Sequence, residues 1–281
     1  MKEILELIRN YTGHENIFLT SGGNAAIWVA LKTVSILCNR KVILVTDQGG
    51  WLTYLKYPIE IGLDIIKVKT DYGVIDLDDL DNKSKNAAAI IYANPAGYFA
   101  EQPFEEIYKI CNNNGCLVIM DISGCISDEL MFTADCADFF VCSFGKWKVI
   151  NAGYGGFVSV KENKHIGALK NVIDKAREKA KEKYAFDTKY ADKVLDCLKR
   201  APERLRNLYR EIGKVKYELD GFEVLHKDKM GVVVVVKYED DNVKQQLINY
   251  CKRNGYEYTL CPRYIRVNDD AISVEIKRLD L

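Results

Sequence analysis

The stretch ADFFVCSFGKWKVINAGYGGFVSV, Ala137 to Val160, holds the first clue to the fold. It opens on the apolar run "DFFVCS" and closes on "GGFVSV". Between them stand Ser143, two lysines two residues apart, Lys146 and Lys148, and then Gly153, Gly155 and Gly156. Short apolar runs bounded by glycine read as buried strands. Working outward, the same signature recurs in "IFLT", "KVILVT", "DIIKVK", "AAAIIYA" and "CLVIMD". Stretches of helical period at 23–38, 50–61 and 103–114 separate them. Continuous β-branched runs alternating with amphipathic helices predict a mostly parallel sheet covered on both faces, a three-layer α/β domain. Such a fold binds ligands beyond the carboxyl ends of its strands, which is where the two lysines fall.

The remainder reads differently. Residues 163–220 are rich in lysine and glutamate, helical in period and nearly free of glycine. A charge-laced run of this kind is a solvated helix face before it is a nucleic-acid surface. A small α+β unit follows, with strand "GVVVVVKY", helix "DNVKQQLINYCKRNG", and strands near "YEYTLCPRYIRVN" and "AISVEI". The expected organisation is a large domain over 1–162, connecting helices over 163–220 and a small C-terminal domain over 221–281.

Composition removes several classes. Forty basic and forty acidic residues cancel, so no charge excess asks for nucleic acid or an anionic membrane. No apolar run approaches the ~20 residues of a membrane span, and "MKEILELIRNYTG" reads as an amphipathic helix rather than a signal peptide. The nine cysteines form no Cys-x-x-Cys pair and have no histidines at metal spacing, so no metal is expected. Cys111, Cys116, Cys136 and Cys142 lie in or beside apolar runs and read as buried free thiols, which points to the reducing cytoplasm.

Five motifs fall at strand ends or strand–helix turns. "TSGGNAAIWVAL" is a glycine turn opening a helix, a cradle where free N–H groups meet an anion; the same turn occurs in proteins with no ligand. Asp121 closes "GCLVIMD", where a buried carboxylate calls for a cationic partner or caps a helix near "CISDEL". Asn94 in "YANPAGYF" sits in good turn sequence. Trp51 in "DQGGWLTYL" is a core aromatic or a ligand platform. Lysine at the fifth position is a surface charge or an amine that forms a Schiff base with a carbonyl cofactor. Taken singly, each motif leaves both readings open.

Their order resembles the fold type I pyridoxal-phosphate enzymes, most closely the DegT-like aminotransferases, from about residue 16 to 160. In that family a serine-phenylalanine pair stands five residues ahead of the Schiff-base lysine, and glycine, x, Gly-Gly follow it. Ser143-Phe144 and Gly153-Tyr154-Gly155-Gly156 therefore single out Lys148; relatives with the serine three residues ahead would select Lys146. The resemblance implies pyridoxal 5'-phosphate as cofactor. Gly23, Asn24 and Ser143 would hold its phosphate and Trp51, with Gly62 eleven residues on, would stack on the ring. Asp121 would pair with the ring nitrogen, and Asn94 would bond the ring hydroxyl. "CPRYIRVN" resembles a strand whose arginine grips a substrate α-carboxylate, which selects Arg266 with Arg263 in reserve; an arginine on an exposed strand face is the alternative.

Three departures from the family stand out. Gly124 replaces a glutamine three residues after the aspartate, Tyr154 replaces a glutamate, and the chain is short in its C-terminal part. The implied function is an aminotransferase acting on small-molecule amines and carbonyls, an amino acid or an amino sugar, as a homodimer. A lyase or desulfurase on the same machinery, or a non-catalytic protein keeping the fold, are the alternatives.

Overall fold

The computed structural model describes residues 1–161, 163–179 and 184–281. Residues 180–183, part of the charged run expected to be helical, lie outside the described residues, as does residue 162.

The elements in chain order are α1 (Lys2–Thr12), β1 (Asn16–Thr20), α2 (Gly23–Leu37), β2 (Val42–Thr46), α3 (Tyr57–Glu60), β3 (Asp64–Val68), β4 (Thr70–Asp71), β5 (Val74–Ile75), α4 (Leu77–Ser84), β6 (Ala87–Ala93), α5 (Phe104–Asn113), β7 (Leu117–Asp121), β8 (Phe139–Ser143) and β9 (Gly156–Val160). After them come α6 (Asn163–Lys179), α7 (Ala191–Glu218), β10 (Val234–Lys237), α8 (Asp241–Arg253), β11 (Tyr258–Cys261) and β12 (Ala271–Val274).

Seven strands form one sheet in the order β1-β9-β8-β7-β6-β2-β3, and only β9 runs against the rest. All seven apolar runs of the sequence are strands of this sheet. Alternate side chains separate its two faces, as the two-residue period of a strand requires. Ile43, Val45, Ile91, Ile119 and Val141 pack with residues of α2 and α6. Leu44, Ile90, Val118, Met120 and Phe140 pack on the other side with residues of α1, α4, α5 and α7. The layers are thus helix, sheet, helix. The second, three-stranded sheet is antiparallel in the order β10-β12-β11, and its core is continuous with the α7 side of the large sheet.

Three local differences from the sequence reading have physical causes. The stretch 50–61 is a 3-10 turn, Leu52–Tyr54, followed by short α3, because Pro58 brings no N–H to a continuing helix. Helix α4 was not anticipated; Asp76 caps it, its carboxylate accepting from the Asp78 and Asp79 amides at 3.0 Å each. In "CPRYIRVN" only Cys261 belongs to a strand, since Pro262 has no N–H for the ladder, so Arg266 lies on a loop. Among the described residues no helix is long and apolar enough to cross a membrane, and no cluster of His, Cys, Asp and Glu is suited to a metal.

Candidate active site

The carboxyl ends of the central strands open on a cavity of about 190 Å³ bordered by Gly23, Trp51, Tyr98, Asp121, Ser143 and Lys148. On one side the start of α2 meets the end of β8. A Cβ on Gly23 would stand 2.6 Å from the Ser143 Cβ, so only glycine lets the helix start close on that strand. Gly156 is under the same constraint, its added Cβ falling 2.4 Å from the Cys142 carbonyl oxygen. The Ser143 hydroxyl accepts from the Gly145 amide at 3.2 Å, and the Ser143 amide donates to the Ser123 hydroxyl at 2.8 Å. Hydroxyls and a helix N-terminus facing one space make an anion cradle.

Lys148 enters the same cavity. Its Nζ donates to the Tyr98 hydroxyl and lies 5.1 Å from the centre of the Trp51 ring. Lys146 is exposed and does not border the cavity. The backbone between β8 and β9 thus turns one of the two lysines into the cavity and leaves the other exposed.

Asp121 ends β7, buried, and its carboxylate accepts from the Tyr54 hydroxyl at 2.8 Å and the Ser123 amide at 2.9 Å. No helix follows for it to cap. Both donors are uncharged, and among the described residues it makes no ion pair, so a buried negative charge faces the cavity with its Coulomb demand unmet. Burial and then the Asp121 charge push the Tyr54 hydroxyl far above its usual range, so Tyr54 remains a donor. Trp51 Nε1 donates to the Asn24 Oδ1 at 2.9 Å, so the Asn24 oxygen is turned to the aromatic ring rather than to the cradle.

Two expected site residues do not come to the cavity. Asn94 is buried with both ends of its amide committed: Nδ2 donates to the Met131 carbonyl and Oδ1 accepts from the Gln102 amide at 3.0 Å. It holds its loop together instead of bonding a ring hydroxyl. Arg266 is likewise closed off. Its Nη2 donates to both Glu275 oxygens at 3.0 and 2.9 Å, Nε to Ser273 at 3.1 Å and Nη1 to the Ile265 carbonyl at 2.8 Å. The planar fork expected to grip a substrate carboxylate is filled by one from its own chain. Arg263 is exposed.

Around Glu275 stand three cations, with Lys277 Nζ at 3.6 Å and Arg278 Nε at 3.5 Å in addition to Arg266. Burial alone would raise the Glu275 carboxyl; the charges of Arg266, Lys277 and Arg278 overcome it and hold it at about 2. Lys277 is pushed down to about 7 by burial and then by the Arg266 charge.

The sequence reading did not single out Tyr54, Tyr98 or Ser123. The Asp121-x-Ser123 spacing is a local signal for an aspartate accepting an amide two residues on. Tyr54 and Tyr98 carry no such signal, because only the tertiary fold brings them to Asp121 and Lys148.

A flat ring bearing a phosphate, an aldehyde and a basic nitrogen fits the residues present. The cradle at Gly23 and Ser143 suits the phosphate, Trp51 offers a flat wall, Lys148 an amine, and Asp121 an unpaired carboxylate for a protonated ring nitrogen.

The model of the DegT/DnrJ/EryC1/StrS aminotransferase family matches residues 2–193, and that of the MJ1341 family C-terminal domain matches residues 202–281. The sequence comparison with curated proteins gives no match. Among solved structures, a protein classed as a sugar aminotransferase of Streptococcus pneumoniae, in its PMP form, superposes with a TM-score of 0.78 at 14% identity, covering 98% of this chain and 84% of that one. The Helicobacter pylori aminotransferase PseC, involved in the biosynthesis of pseudoaminic acid, gives 0.77 at 14%, covering 97% and 84%. The sugar aminotransferase CalS13 of Micromonospora echinospora gives 0.71 at 18%, covering 98% and 87%. At these identities the likeness is one of fold.

Proposed function

The chain belongs to the DegT/DnrJ/EryC1/StrS aminotransferase family and is a pyridoxal-phosphate-dependent aminotransferase; from that premise we propose that Lys148 is its cofactor-binding amine and an amino sugar its substrate type. The observation that carries the reading is the position of the Lys148 amine, which shares one cavity with the uncompensated Asp121 carboxylate, the Trp51 ring and the Gly23–Ser143 cradle. Bound there, the cofactor supplies an electron sink for the charge that develops on the substrate carbon.

The chain's own residues do the rest. Lys148 Nζ would hold the cofactor through its aldehyde carbon and, once freed as an amine, would take the proton from the substrate carbon and return it. Asp121 keeps a proton on the ring nitrogen by ion pairing, and Tyr54 and Ser123 fix the direction of that carboxylate. The α2 start and Ser143 hold the phosphate. Trp51, held by Asn24, gives the ring a flat apolar face.

Two observations support the amino sugar over an amino acid recognised by its carboxylate. Among the described residues no arginine borders the cavity, and Arg266 is spent on Glu275. Two neighbours of the fold are sugar aminotransferases by name. The second reading, a lyase on the same machinery, predicts different products. A panel of amino acids, scored by conversion of the visible cofactor band to the pyridoxamine form and by its return with keto sugars, separates the two. Transamination predicts both conversions; release of pyruvate, ammonia or sulfide contradicts it.

The same reading makes the enzyme a cytoplasmic homodimer divided near residues 162 and 220. Support for the dimer is the exposed apolar set Leu52, Ile59 and Trp147 on segments flanking Trp51 and Lys148. Support for the compartment is that all nine cysteines are free thiols. Sedimentation at micromolar concentration tests the first, with a monomer as the contrary result.

A further inference from the structure

We propose that Tyr98 is the positioning residue of the Lys148 amine, fitted to it by the missing side chain at Gly124 and braced from behind by Arg266 and Lys277. The inference rests on the reading of Lys148 as the reactive lysine.

Tyr98 is held by constraints that come from four directions. Its φ of 71° lies in the left-handed region, which an aromatic residue rarely adopts and which persists only where the surrounding structure enforces it. Its carbonyl accepts from the Val232 and Val233 amides at 2.7 and 3.1 Å, which ties the residue to the chain entering the small sheet. A Cβ on Gly124 would fall 3.0 Å from the Tyr98 Cδ1 and 3.0 Å from the Pro95 Cδ. The ring therefore stands where a side chain at 124 would project, and the resemblance expects a glutamine at that position. Lys277 Nζ lies 4.6 Å and the Arg266 Cζ 5.2 Å from the ring centre. Cations over an aromatic face are attracted to it, and here two of them add to the hold on the ring.

The product of these constraints is a phenol oxygen placed on the Lys148 Nζ, which itself sits 4.5 Å from the Tyr98 ring centre. Burial, only partly offset by the Lys148 charge, raises the Tyr98 hydroxyl above its usual range, so it stays neutral. A neutral acceptor fixes the direction of the amine it faces, and as a rule a hydrogen bond accepted from a proton-bearing nitrogen favours that form. The other titratable and charged groups around the pair are Asp121 and Cys142 from the large sheet, Tyr54 from the 3-10 turn Leu52–Tyr54, Tyr264 and Arg266 from the loop between β11 and β12, and Glu275 and Lys277 beyond β12. Glu275 is matched by its own cations, so the phenol is the neutral partner the amine meets.

The test compares wild-type holoenzyme with Tyr98→Phe, which keeps the ring and removes the oxygen. Two readouts are taken: the pH midpoint of the bound cofactor's visible band, and borohydride trapping followed by peptide mapping. The expected result is label on Lys148 in both proteins, with the Y98F midpoint lower by about one pH unit. Gly124→Ala, which displaces the ring while keeping its hydroxyl, should move the midpoint the same way by less. Unchanged midpoints in both variants, with trapping intact, would overturn the inference and leave Tyr98 as a wall. Wild-type label on a lysine other than Lys148 would overturn the reading beneath it as well, and is told apart by the map.

Discussion

Asp121 and Glu275 are two buried carboxylates, one bordering the cavity beside Tyr98 and the other bound to Arg266, and the protein answers them in opposite ways. Glu275 is fully enclosed and receives a two-point grip from Arg266, a hydroxyl from Ser273 and two further cations. Asp121 is nearly as buried but receives only a phenol and a backbone amide, and its charge is turned toward a cavity. Removing a charge from water costs several kcal/mol unless it is matched, so the first arrangement is complete in itself and the second is complete only with a cationic guest. A saturated carboxylate holds structure; one left short of charge marks a site.

Substitutions that exchange these roles should break the contrast if it is wrong. Glu275→Gln strands Arg266 in the interior and should lower stability by about 3–5 kcal/mol, read from denaturant unfolding, while borohydride trapping of the folded fraction is retained. Asp121→Asn should leave the melting temperature unchanged or raised and cut turnover by about a hundredfold or more. If instead D121N unfolds the protein and E275Q abolishes cofactor capture, the two assignments are reversed.

The contrast also sets the acid response. Glu275 is held at about 2 against an ordinary 4.5, so its contribution is present above pH 4.5 and fades as pH falls toward 2. The shift corresponds to about 3 kcal/mol. A separate window belongs to His14, whose ring nitrogens meet the Ser159 hydroxyl at 2.9 Å and the Ala134 carbonyl at 3.0 Å. Burial lowers it to about 4 from 6.5, so stability is lost as pH falls across that range. Unfolding measured from pH 7 to 2 should show both losses in the wild type and only the His14 loss in E275Q. The smallest effect concerns the aromatic wall: Asn24→Ala removes the 2.9 Å bond to Trp51 and should weaken cofactor affinity by about tenfold or less.

What the sequence carried divides along the range of the interactions. The seven apolar runs announce the sheet because burial on both faces is written in consecutive residues. That Gly23, Asp121, Ser143 and Lys148 share one cavity follows from local order, since Asp121 and Ser143 end strands, Gly23 opens the helix after β1 and Lys148 lies on the loop after β8. Arg266 misled because its partner Glu275 lies across a turn, and nothing in "CPRYIRVN" says that the fork will be filled from within. Asn94 misled in the same manner, its amide satisfied by Met131 and Gln102 from flanking loops. Tyr98 gives no local signal, since the space that admits its ring is made by Gly124, 26 positions away on another loop.

Central to the account is that Lys148, and not its neighbour two residues earlier, meets the cofactor. Purified holoenzyme should be yellow, and reduction with borohydride followed by proteolysis and mass mapping should place the pyridoxyl group on the peptide at Lys148. Label at Lys146 would contradict that assignment, and a colourless protein that takes up no pyridoxal phosphate would contradict the active site as a whole.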